Sequence, residues 1–355
     1  KINGKRSKIM IIKVGNKTIG GGDIPIQTMI KNSPYDHKTT IEKLEKLCDV
    51  GADIVRITVP DERSIDSLSI IIRESPLPIV ADIHFDYKLA IKAIEAGVAK
   101  IRINPGNIGD KNRVGEIVAC LKEYNIPVRI GINAGSLPEH ILRRNLSRID
   151  TMIESAGEEI GYFEEFGYDK IVLSFKSSNV METIEVNKIA KAKFGLPLHI
   201  GVTEAGDKFD GLIKNAVGVS NLLLDNIGDT IRVSLTSSEE DEIVAGRKIL
   251  EAVGKLAPDI EVISCPTCGR TEVNIEKLVA EFKERIKGKK FNKKLRAAIM
   301  GCVVNGPGES KDADFGVACG KNKSIIFSEG KTLKTVKNSD ILDELIIQIK
   351  KYYEE

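Results

Sequence analysis

Eight short apolar runs, separated by stretches with helical periodicity, restrict the fold of this chain more than any other feature. The separating stretches are mostly about ten to fifteen residues long, which is typical of βα units around a parallel sheet. Eight such units before a change in composition predict a (β/α)8 TIM barrel. The predicted strands are residues 24–29, 54–59, 78–83, 99–104, 127–133, 170–175, 197–203 and 230–235.

The chain is longer than one usual domain, because 355 residues favour a large unit with a smaller one beside it. Gly254 and Pro258 indicate a linker over 254–261, so we expect a barrel domain at 1–256 and a smaller α+β domain at 257–355. In the second domain, apolar residues predict a helix over 275–286, strands near 297–300 and 324–327, and a last helix around 341–349. The long connection 134–168 predicts extra helices over one end of the barrel.

Composition excludes several classes of protein. A net charge of +2, with 29% charged and 5% aromatic residues, argues against a nucleic-acid binder. Six cysteines in a chain of this length do not make a disulfide scaffold and are typical of a reduced, cytoplasmic protein. The apolar run 9–12 is too short for a signal-peptide core or a membrane span, so we expect a soluble protein.

Arginine interrupts four of the apolar strands, at Arg56, Arg102, Arg129 and Arg232. An unpaired guanidinium in an apolar interior costs several kcal/mol, so these side chains need anionic partners. Because alternate residues of a strand share a face, Arg232 and Ser234 point the same way. The polar residues converge at the carboxyl end of a barrel, where they predict a pocket for a highly charged anion such as a diphosphate.

Other strand ends add polar side chains to this pocket. Asp82 and His84 close the third strand, Asn133 the fifth and Lys176 the sixth, and Glu204 follows the seventh. The alternative interpretation is that the arginines pair with Asp82, Glu204 or another acid as part of the barrel architecture. His84 could then be a histidine satisfied within the core.

Three cysteines in the second domain predict a metal site. Cys265 and Cys268 form a C-x-x-C pair, and Cys302 lies in a turn rich in Gly and Pro. Zinc and iron both prefer several converging thiolates. Cys319 would complete a four-thiolate zinc site, whereas Glu309 would give an iron a displaceable oxygen ligand. Cys48 and Cys120 lie among apolar residues, which favours core packing for both.

Six segments of the chain resemble the 4-hydroxy-3-methylbut-2-enyl diphosphate synthase family, in its bacterial two-domain form. The resemblance runs from about residue 24 to beyond residue 316, and its segments occur in the family order. One departure is Cys319, in a turn where glycine is expected. The segments are ADIHFD at 81–86, KIRINPGNIG at 100–109, SFKSS at 174–178, GVTEAG at 201–206, ISCPTCGR at 263–270 and GCVVNGPGE at 301–309.

The resemblance implies reductive ring opening and dehydration of the cyclic diphosphate of methylerythritol, a step of isoprenoid biosynthesis. It implies a [4Fe–4S] cluster in the second domain, two electrons from ferredoxin or flavodoxin, and a homodimer that shares its active site between subunits. The implied cluster ligands are Cys265, Cys268, Cys302 and Glu309.

Combining the predicted pocket with the implied reaction assigns roles to residues. The predicted substrate-binding residues are Arg56, Arg102, Arg129, Asn133, Lys176, Arg232, Ser234 and Asn305. Glu204 is the candidate for proton transfer at the departing hydroxyl, with Asp82 and His84 beside it and Glu309 at the metal. Two rival hypotheses are a zinc-containing phosphate-binding lyase or epimerase and a non-catalytic electron carrier.

Overall fold

Eight parallel strands close into a barrel in the first part of the chain. The computed structural model describes residues 10–84, 86–104, 111–135, 137–258, 260–286, 294–303 and 312–354. The chain divides into two compact units, Lys1–Leu256 and Ala257–Glu355. A six-stranded sheet, β3 to β8, is closed by β9 and β10 through the pairings Leu173–Leu198 and Ile26–Ile231. The predicted TIM barrel is confirmed.

The barrel strands fall within the predicted runs, apart from one added residue at the end of β8. They are β3 Gln27–Met29, β4 Ile54–Thr58, β5 Ile79–Asp82, β6 Lys100–Ile103, β7 Val128–Asn133, β8 Ile171–Lys176, β9 His199–Ile200 and β10 Thr230–Ile231. The last two are shorter than predicted. At Gly201, just after β9, the backbone lies so close to β10 that a Cβ would be 2.1 Å from the carbonyl oxygen of Arg232.

Helices cover the outside of the barrel. They are α1 His37–Asp49, α2 Glu62–Glu74, α3 Tyr87–Glu95, α4 Lys111–Tyr124, α5 Glu139–Leu142, α6 Arg148–Glu165, α7 Val180–Phe194, α8 Lys208–Leu224 and α9 Glu239–Ala252. Several begin at an Asp, Ser or Asn whose side chain accepts from a backbone N–H of the first turn, as Asp61 does for α2. Extra helices were predicted over 134–168. In the described part of that segment, only the four-residue α5 is additional, because α6 is itself a barrel helix that packs against α4 and α7.

A short hairpin closes the lower end of the barrel. Its strands, β1 Ile12–Val14 and β2 Lys17–Ile19, pair antiparallel and were not predicted. Ile12, Val14 and Ile19 are buried in one apolar cluster with Ile54, Val80 and Val172, which point into the barrel from β4, β5 and β8. The hairpin is therefore an apolar plug beneath the barrel interior.

The strand register arranges the inward side chains in layers, because alternate strands of a tilted eight-stranded barrel contribute each layer. The register predicts four layers above the plug. From the bottom upward they contain Ile54, Lys100, Val172 and Thr230; Gln27, Val80, Arg129 and His199; Arg56, Arg102, Ser174 and Arg232; and Met29, Asp82, Gly131 and Gly201. Charge is thus stacked along the barrel axis.

The second unit is built on one five-stranded sheet in the order β11-β12-β13-β14-β15. Its strands are β11 Ile260–Ser264, β12 Leu295–Met300, β13 Phe315–Ala318, β14 Lys323–Ser328 and β15 Lys331–Lys337, with helices α10 Ile275–Ile286 and α11 Ile341–Glu354. β11, β12 and β13 are parallel, and the last two strands are antiparallel. The predicted linker ends earlier than expected, since β11 begins at Ile260. None of the helices that the structure describes is long and apolar enough to cross a membrane.

Glu159 on α6 makes the barrel stability depend on pH. Its side chain is 5% exposed, and Oε1 has no hydrogen-bond partner among the described residues. Burial, with the nearby charge of Glu158, raises the pKa of Glu159 to about 7 from 4.5. The folded barrel therefore holds a proton that the unfolded chain releases, so the free energy of unfolding falls as pH rises from about 4.5 to about 7.

We expect Glu159→Gln to remove most of this dependence. The free energy of unfolding of the variant minus that of the native chain is the quantity to compare. This difference should be about 3 kcal/mol larger at pH 8 than at pH 4.5, because only the native chain loses stability over this range through residue 159. Denaturant unfolding of both proteins at both pH values measures the difference. Glu164→Gln, an exposed change on the same helix, is the control and should leave the pH profile unaltered. A Glu159→Gln variant that loses stability with pH as the native chain does would contradict this assignment.

Candidate functional site: a cationic barrel mouth and a cysteine-bearing sheet edge

Two adjoining cavities open at the carboxyl end of the barrel strands. The inner cavity, of about 170 Å³, is lined by Met29, Arg56, Asp82, His84, Arg102, Arg129, Gly131, Asn133, Ser174, Lys176, Thr203 and Arg232. The outer cavity, of about 410 Å³, is lined by Asn133, Ala134, Gly135, Arg148, Lys176, Ser177, Ser178, Thr203 and Glu204. Asn133, Lys176 and Thr203 belong to both, so the two form one cleft.

The cleft gathers most of the residues predicted to bind an anion. Arg56, Arg102, Arg129, Asn133, Lys176 and Arg232 line the inner cavity beside Asp82 and His84. Glu204 lies in the outer cavity with a left-handed backbone, at φ +49°. Ser234 is not among the described residues that line either cavity, and Asn305 and Glu309 lie outside the described residues.

Asp82 is the carboxylate around which the inner cavity is organised. Its Oδ1 accepts from Nη1 of Arg102 at 3.0 Å, and its Oδ2 lies 3.5 Å from Nε of Arg56 and 3.4 Å from Nε2 of His84. Burial alone would raise the pKa of Asp82, but the charges of Arg56 and Arg102 and the hydrogen bond with His84 hold it far below its usual range. Asp82 is therefore ionised and fixes three side chains of the cleft.

A second carboxylate, Glu242 on α9, anchors Arg232 from behind. Glu242 is 2% exposed, and its Oε2 lies 3.7 Å from Nη2 of Arg232 and accepts from the hydroxyl of Thr28 at 3.1 Å. Its Oε1 lies 3.2 Å from both Nζ of Lys31 and the backbone N of Leu235. The alternative that the arginines pair internally thus holds in part, with Asp82 and Glu242 as the partners.

Positive charge still exceeds negative charge in this part of the barrel. Arg129 has no ion pair among the described residues, and its Nε and Nη1 lack hydrogen-bond partners. Burial and the charges of Arg232, Arg129, Arg56 and Arg102 hold the pKa of Lys176 well below its ordinary value. Burial also lowers the pKa of Arg56 to about 10, although Asp82 opposes the shift. An anion bound in the cleft would relieve all three effects.

Glu242→Gln tests whether the anchor positions Arg232. We expect KM for an anionic substrate to rise about tenfold with a smaller change in kcat, because Arg232 loses its charged partner while remaining in the cleft. Steady-state kinetics and calorimetric titration with inorganic diphosphate measure the effect. Glu240→Gln on the same helix is the matched control, and equal KM values for the two variants would contradict the positioning role.

The cysteines of the second unit gather at one edge of its sheet. Cys265 directly follows β11, Cys302 lies two residues after β12, and Cys319 directly follows β13. These strands are parallel neighbours, so their carboxyl ends share an edge. All six cysteines of the chain are free thiols.

Backbone contacts tie the cysteine loops together. The N–H of Gly301 donates to Sγ of Cys265 at 3.2 Å, and the N–H of Glu272 donates to the carbonyl oxygen of Gly301 at 3.1 Å. The N–H of Cys268 donates to the hydroxyl of Thr271 at 3.0 Å. Hydrogen bonds with the backbone and side chain of Arg270 lower the pKa of the Cys268 thiol, which favours a thiolate.

Cys319 differs from the other cysteines at this edge. Its side chain is fully buried in the apolar core of the second unit, and burial raises the pKa of its thiol to about 11. Cys268 is exposed, and Cys265 and Cys302 are half-buried. Within the described residues, no three His, Cys, Asp or Glu side chains lie close enough together to hold a metal ion. Glu309 lies outside those residues.

Several polar residues in or beside the cleft were not predicted. Arg148, at the start of α6, lines the outer cavity and lies 3.6 Å from Glu182. The local sequence does not indicate that Glu242 reaches the barrel, because its helix is distant in sequence from Thr28, its partner on β3. The inward position of Lys100 could have been predicted, since Lys100 precedes Arg102 by two residues and must share its inward face.

The fold of the barrel is also found in a solved structure. Dihydropteroate synthase from Thermus thermophilus aligns with a TM-score of 0.51 and 12% sequence identity, covering 70% of this chain and 99% of that chain. At this identity the likeness concerns the fold alone.

Sequence comparison extends over both units. The GcpE TIM-barrel domain family matches residues 10–247, and the GcpE protein C-terminal domain family matches residues 261–351. A relative from Caldanaerobacter subterraneus subsp. tengcongensis is 48% identical over 346 residues, which cover 97% of each chain. One from Clostridium tetani is 46% identical over 347 residues, 97% of this chain and 99% of the relative. Both are named 4-hydroxy-3-methylbut-2-en-1-yl diphosphate synthase (flavodoxin), and the chain belongs to this GcpE family.

Proposed function

We propose that this chain is an oxidoreductase of isoprenoid biosynthesis. It converts 2-C-methyl-D-erythritol 2,4-cyclodiphosphate to 4-hydroxy-3-methylbut-2-enyl diphosphate by reductive ring opening and dehydration. The family membership of both units supports this reaction. The observation that carries it in the structure is the cleft, which is lined by Lys176 and four arginines, of which only three are paired with a carboxylate of the described residues, Asp82 or Glu242. The first unit is then the substrate domain, and the second holds the redox centre.

The cleft supplies the charge that a cyclic diphosphate requires. Arg102 and Arg56, held by Asp82, and Arg232, held by Glu242, offer guanidinium N–H groups in fixed orientations. Arg129 and Lys176 are buried cations without a carboxylate of their own among the described residues. The five cations, with Asn133 and Ser234 nearby, bind the diphosphate and offset its growing charge when the ring C–O bond breaks. Asn305 is proposed as a further substrate contact.

Different acids in the cleft suit different roles in proton transfer. Asp82 is paired and strongly ionised, so it serves as an orienting group. His84 has a side chain 42% exposed and lies against Asp82, at the border between the cleft and solvent. Glu204 lies in the wider outer cavity and is our candidate for giving a proton to the departing hydroxyl.

The donor chemistry of the second unit fits an iron–sulfur cluster. Cys265, Cys268 and Cys302 are free thiols on connected loops at one sheet edge, and the thiol of Cys319 is buried and protonated. We assign the [4Fe–4S] cluster to Cys265, Cys268, Cys302 and Glu309. When bound, it supplies one-electron transfer to the substrate. Glu309, an oxygen ligand, is the most readily displaced of the four.

The proposed reaction needs partners. No flavin or nicotinamide motif occurs in the sequence, so the electrons come from ferredoxin or flavodoxin; the names of the relatives specify flavodoxin. We propose a homodimer in which the active site is shared between subunits, which gel filtration of the active enzyme tests. The free thiols suit a reducing cytoplasm.

Anaerobic incubation with the cyclic diphosphate and a strong chemical reductant tests the function. We expect substrate loss matched by formation of the allylic diphosphate. Iron and acid-labile sulfide analysis of the same preparation separates the rival hypotheses: bound zinc without sulfide would favour the lyase or epimerase. A cluster without any affinity for diphosphates would favour an electron carrier.

A further inference from the structure

The side-chain nitrogen of Lys100 is buried in the barrel interior. Lys100 begins β6 and is 0% exposed, and its Nζ has no hydrogen-bond partner among the described residues. It occupies the lowest layer of inward side chains, directly above the apolar plug. Neither this layer nor the layer above it, which contains Gln27, Val80, Arg129 and His199, includes a carboxylate. Burial and the charges of Arg129 and Arg56 hold the pKa of Lys100 well below its ordinary value, so the cationic form of Lys100 requires a bound anion.

Other polar atoms around Lys100 are also unsatisfied. Both side-chain amide atoms of Gln27, Nε and Nη1 of Arg129 and Nε2 of His199 are buried without hydrogen-bond partners among the described residues. These three residues share the layer above Lys100. Buried polar atoms in folded proteins are nearly always paired with protein, water or an ion. So many unpaired atoms in two adjacent layers indicate a bound species.

The hydrogen bonds of His199 determine which groups there can donate. The hydroxyl of Thr230 donates its only hydrogen to the carbonyl oxygen of Pro25 at 2.9 Å. The 3.4 Å contact between Nδ1 of His199 and that hydroxyl therefore places the histidine proton on Nδ1, and Nε2 is an acceptor. Among the unpaired atoms of these residues, Nε2 of His199 and the amide oxygen of Gln27 accept, while Arg129, the amide nitrogen of Gln27 and the cationic form of Lys100 donate.

We propose that Lys100, Gln27 and Arg129 bind a small monovalent anion, of the size of chloride or bromide, one layer below the cleft. With Lys100 in its cationic form, donors outnumber acceptors, so a negatively charged occupant satisfies the hydrogen bonds and stabilises that form, whereas water satisfies only the bonds. The barrel wall and the β1–β2 plug enclose the group, which restricts the occupant to a small ion. Lys100, Gln27 and His199 are not among the described residues that line the two cavities.

The proposed site shares Arg129 with the substrate cleft. Arg129 lines the inner cavity, and its layer is also that of Gln27 and His199. An anion below would hold this guanidinium in place, with its remaining N–H groups directed to the cleft. The proposal concerns binding to the resting protein, and it does not depend on the identity of the substrate.

Halide dependence of thermal unfolding tests the site. The full chain is unfolded in sodium bromide or in sodium gluconate at equal ionic strength, with saturating inorganic diphosphate to fill the cleft above. We expect Tm of the barrel to be about 3 °C higher in bromide at ten times the dissociation constant, because gluconate is too large to enter. Crystals soaked in bromide should show an anomalous peak within hydrogen-bond distance of Lys100 Nζ. Equal Tm values, or no such peak, would overturn the proposal.

Two variants separate this site from general salt effects. Gln27→Glu places a carboxylate in the layer above Lys100, where it replaces the anion, so we expect this variant to fold and to lose the bromide dependence. Lys100→Met should lose it as well, and Lys248→Met, on an exposed side chain, should keep it. Gln27→Glu decides the matter if Lys100→Met does not fold. Bromide dependence that persists in Gln27→Glu would show that the ion binds elsewhere.

Discussion

Replacing Cys302 by serine is expected to remove bound iron and sulfide and to reduce turnover by about a thousandfold or more, about 4 kcal/mol of activation free energy. Cys302 lies on the loop after β12, next to Gly301, whose N–H donates to Sγ of Cys265. A serine hydroxyl is a poor ligand for iron beside two thiolates. Iron and sulfide analysis, the absorption spectrum and the anaerobic assay measure the loss together.

The matched control is Cys319→Ala, at the same edge of the sheet. The side chain of Cys319 is packed in the core of the second unit, and its thiol is protonated at neutral pH. We expect this variant to keep its iron and to stay within about twofold of native turnover, with a modest loss of stability from the small cavity. If Cys319→Ala lost its iron while Cys302→Ser kept it, the ligand set would have to include Cys319.

The barrel was predictable because its signal is local. Strands buried on both faces read as continuous apolar runs, so runs such as 54–59 and 127–133 located β4 and β7 within one residue. The hairpin of β1 and β2 was missed because each strand has only three residues, and three residues show no clear period. The short β9 could not be foreseen either, since its end depends on the close approach of Gly201 to another strand.

The candidate site was predictable to the extent that strand periodicity controls it. Arg102 inside an apolar strand predicts an inward guanidinium, and the same alternation applied to Lys100 would have predicted a second buried cation. Of the two carboxylates that pair with these cations, one could be predicted from the sequence and the other could not. Asp82 is on a strand, but Glu242 reaches Thr28 across 214 positions in the sequence. Only the closure of the barrel brings that helix beside β3.

Asp82→Asn is expected to cause the largest loss of stability among the variants of the cleft. Asp82 is 1% exposed and is the shared partner of Arg56, Arg102 and His84. Removing its charge leaves buried guanidinium groups uncompensated, which costs about 3–5 kcal/mol. We also expect turnover to fall sharply, because the same change frees three side chains that line the inner cavity. Asp66→Asn, an exposed change on α2, is the control for loss of one negative charge.

The effects of pH and of diphosphate on the stability of Asp82→Asn distinguish the loss of a charged partner for the arginines from simple misfolding. The pKa of Asp82 is lowered from 3.8 in the folded barrel, so its contribution to stability is present above about pH 4 and is lost as pH falls further. The deficit of Asp82→Asn should therefore shrink in acid. Saturating inorganic diphosphate should restore much of the lost Tm, because the uncompensated arginines bind an anion more tightly than in the native chain. A deficit that neither acid nor diphosphate reduces would mean that Asp82 supports the fold without organising the cations of the cleft.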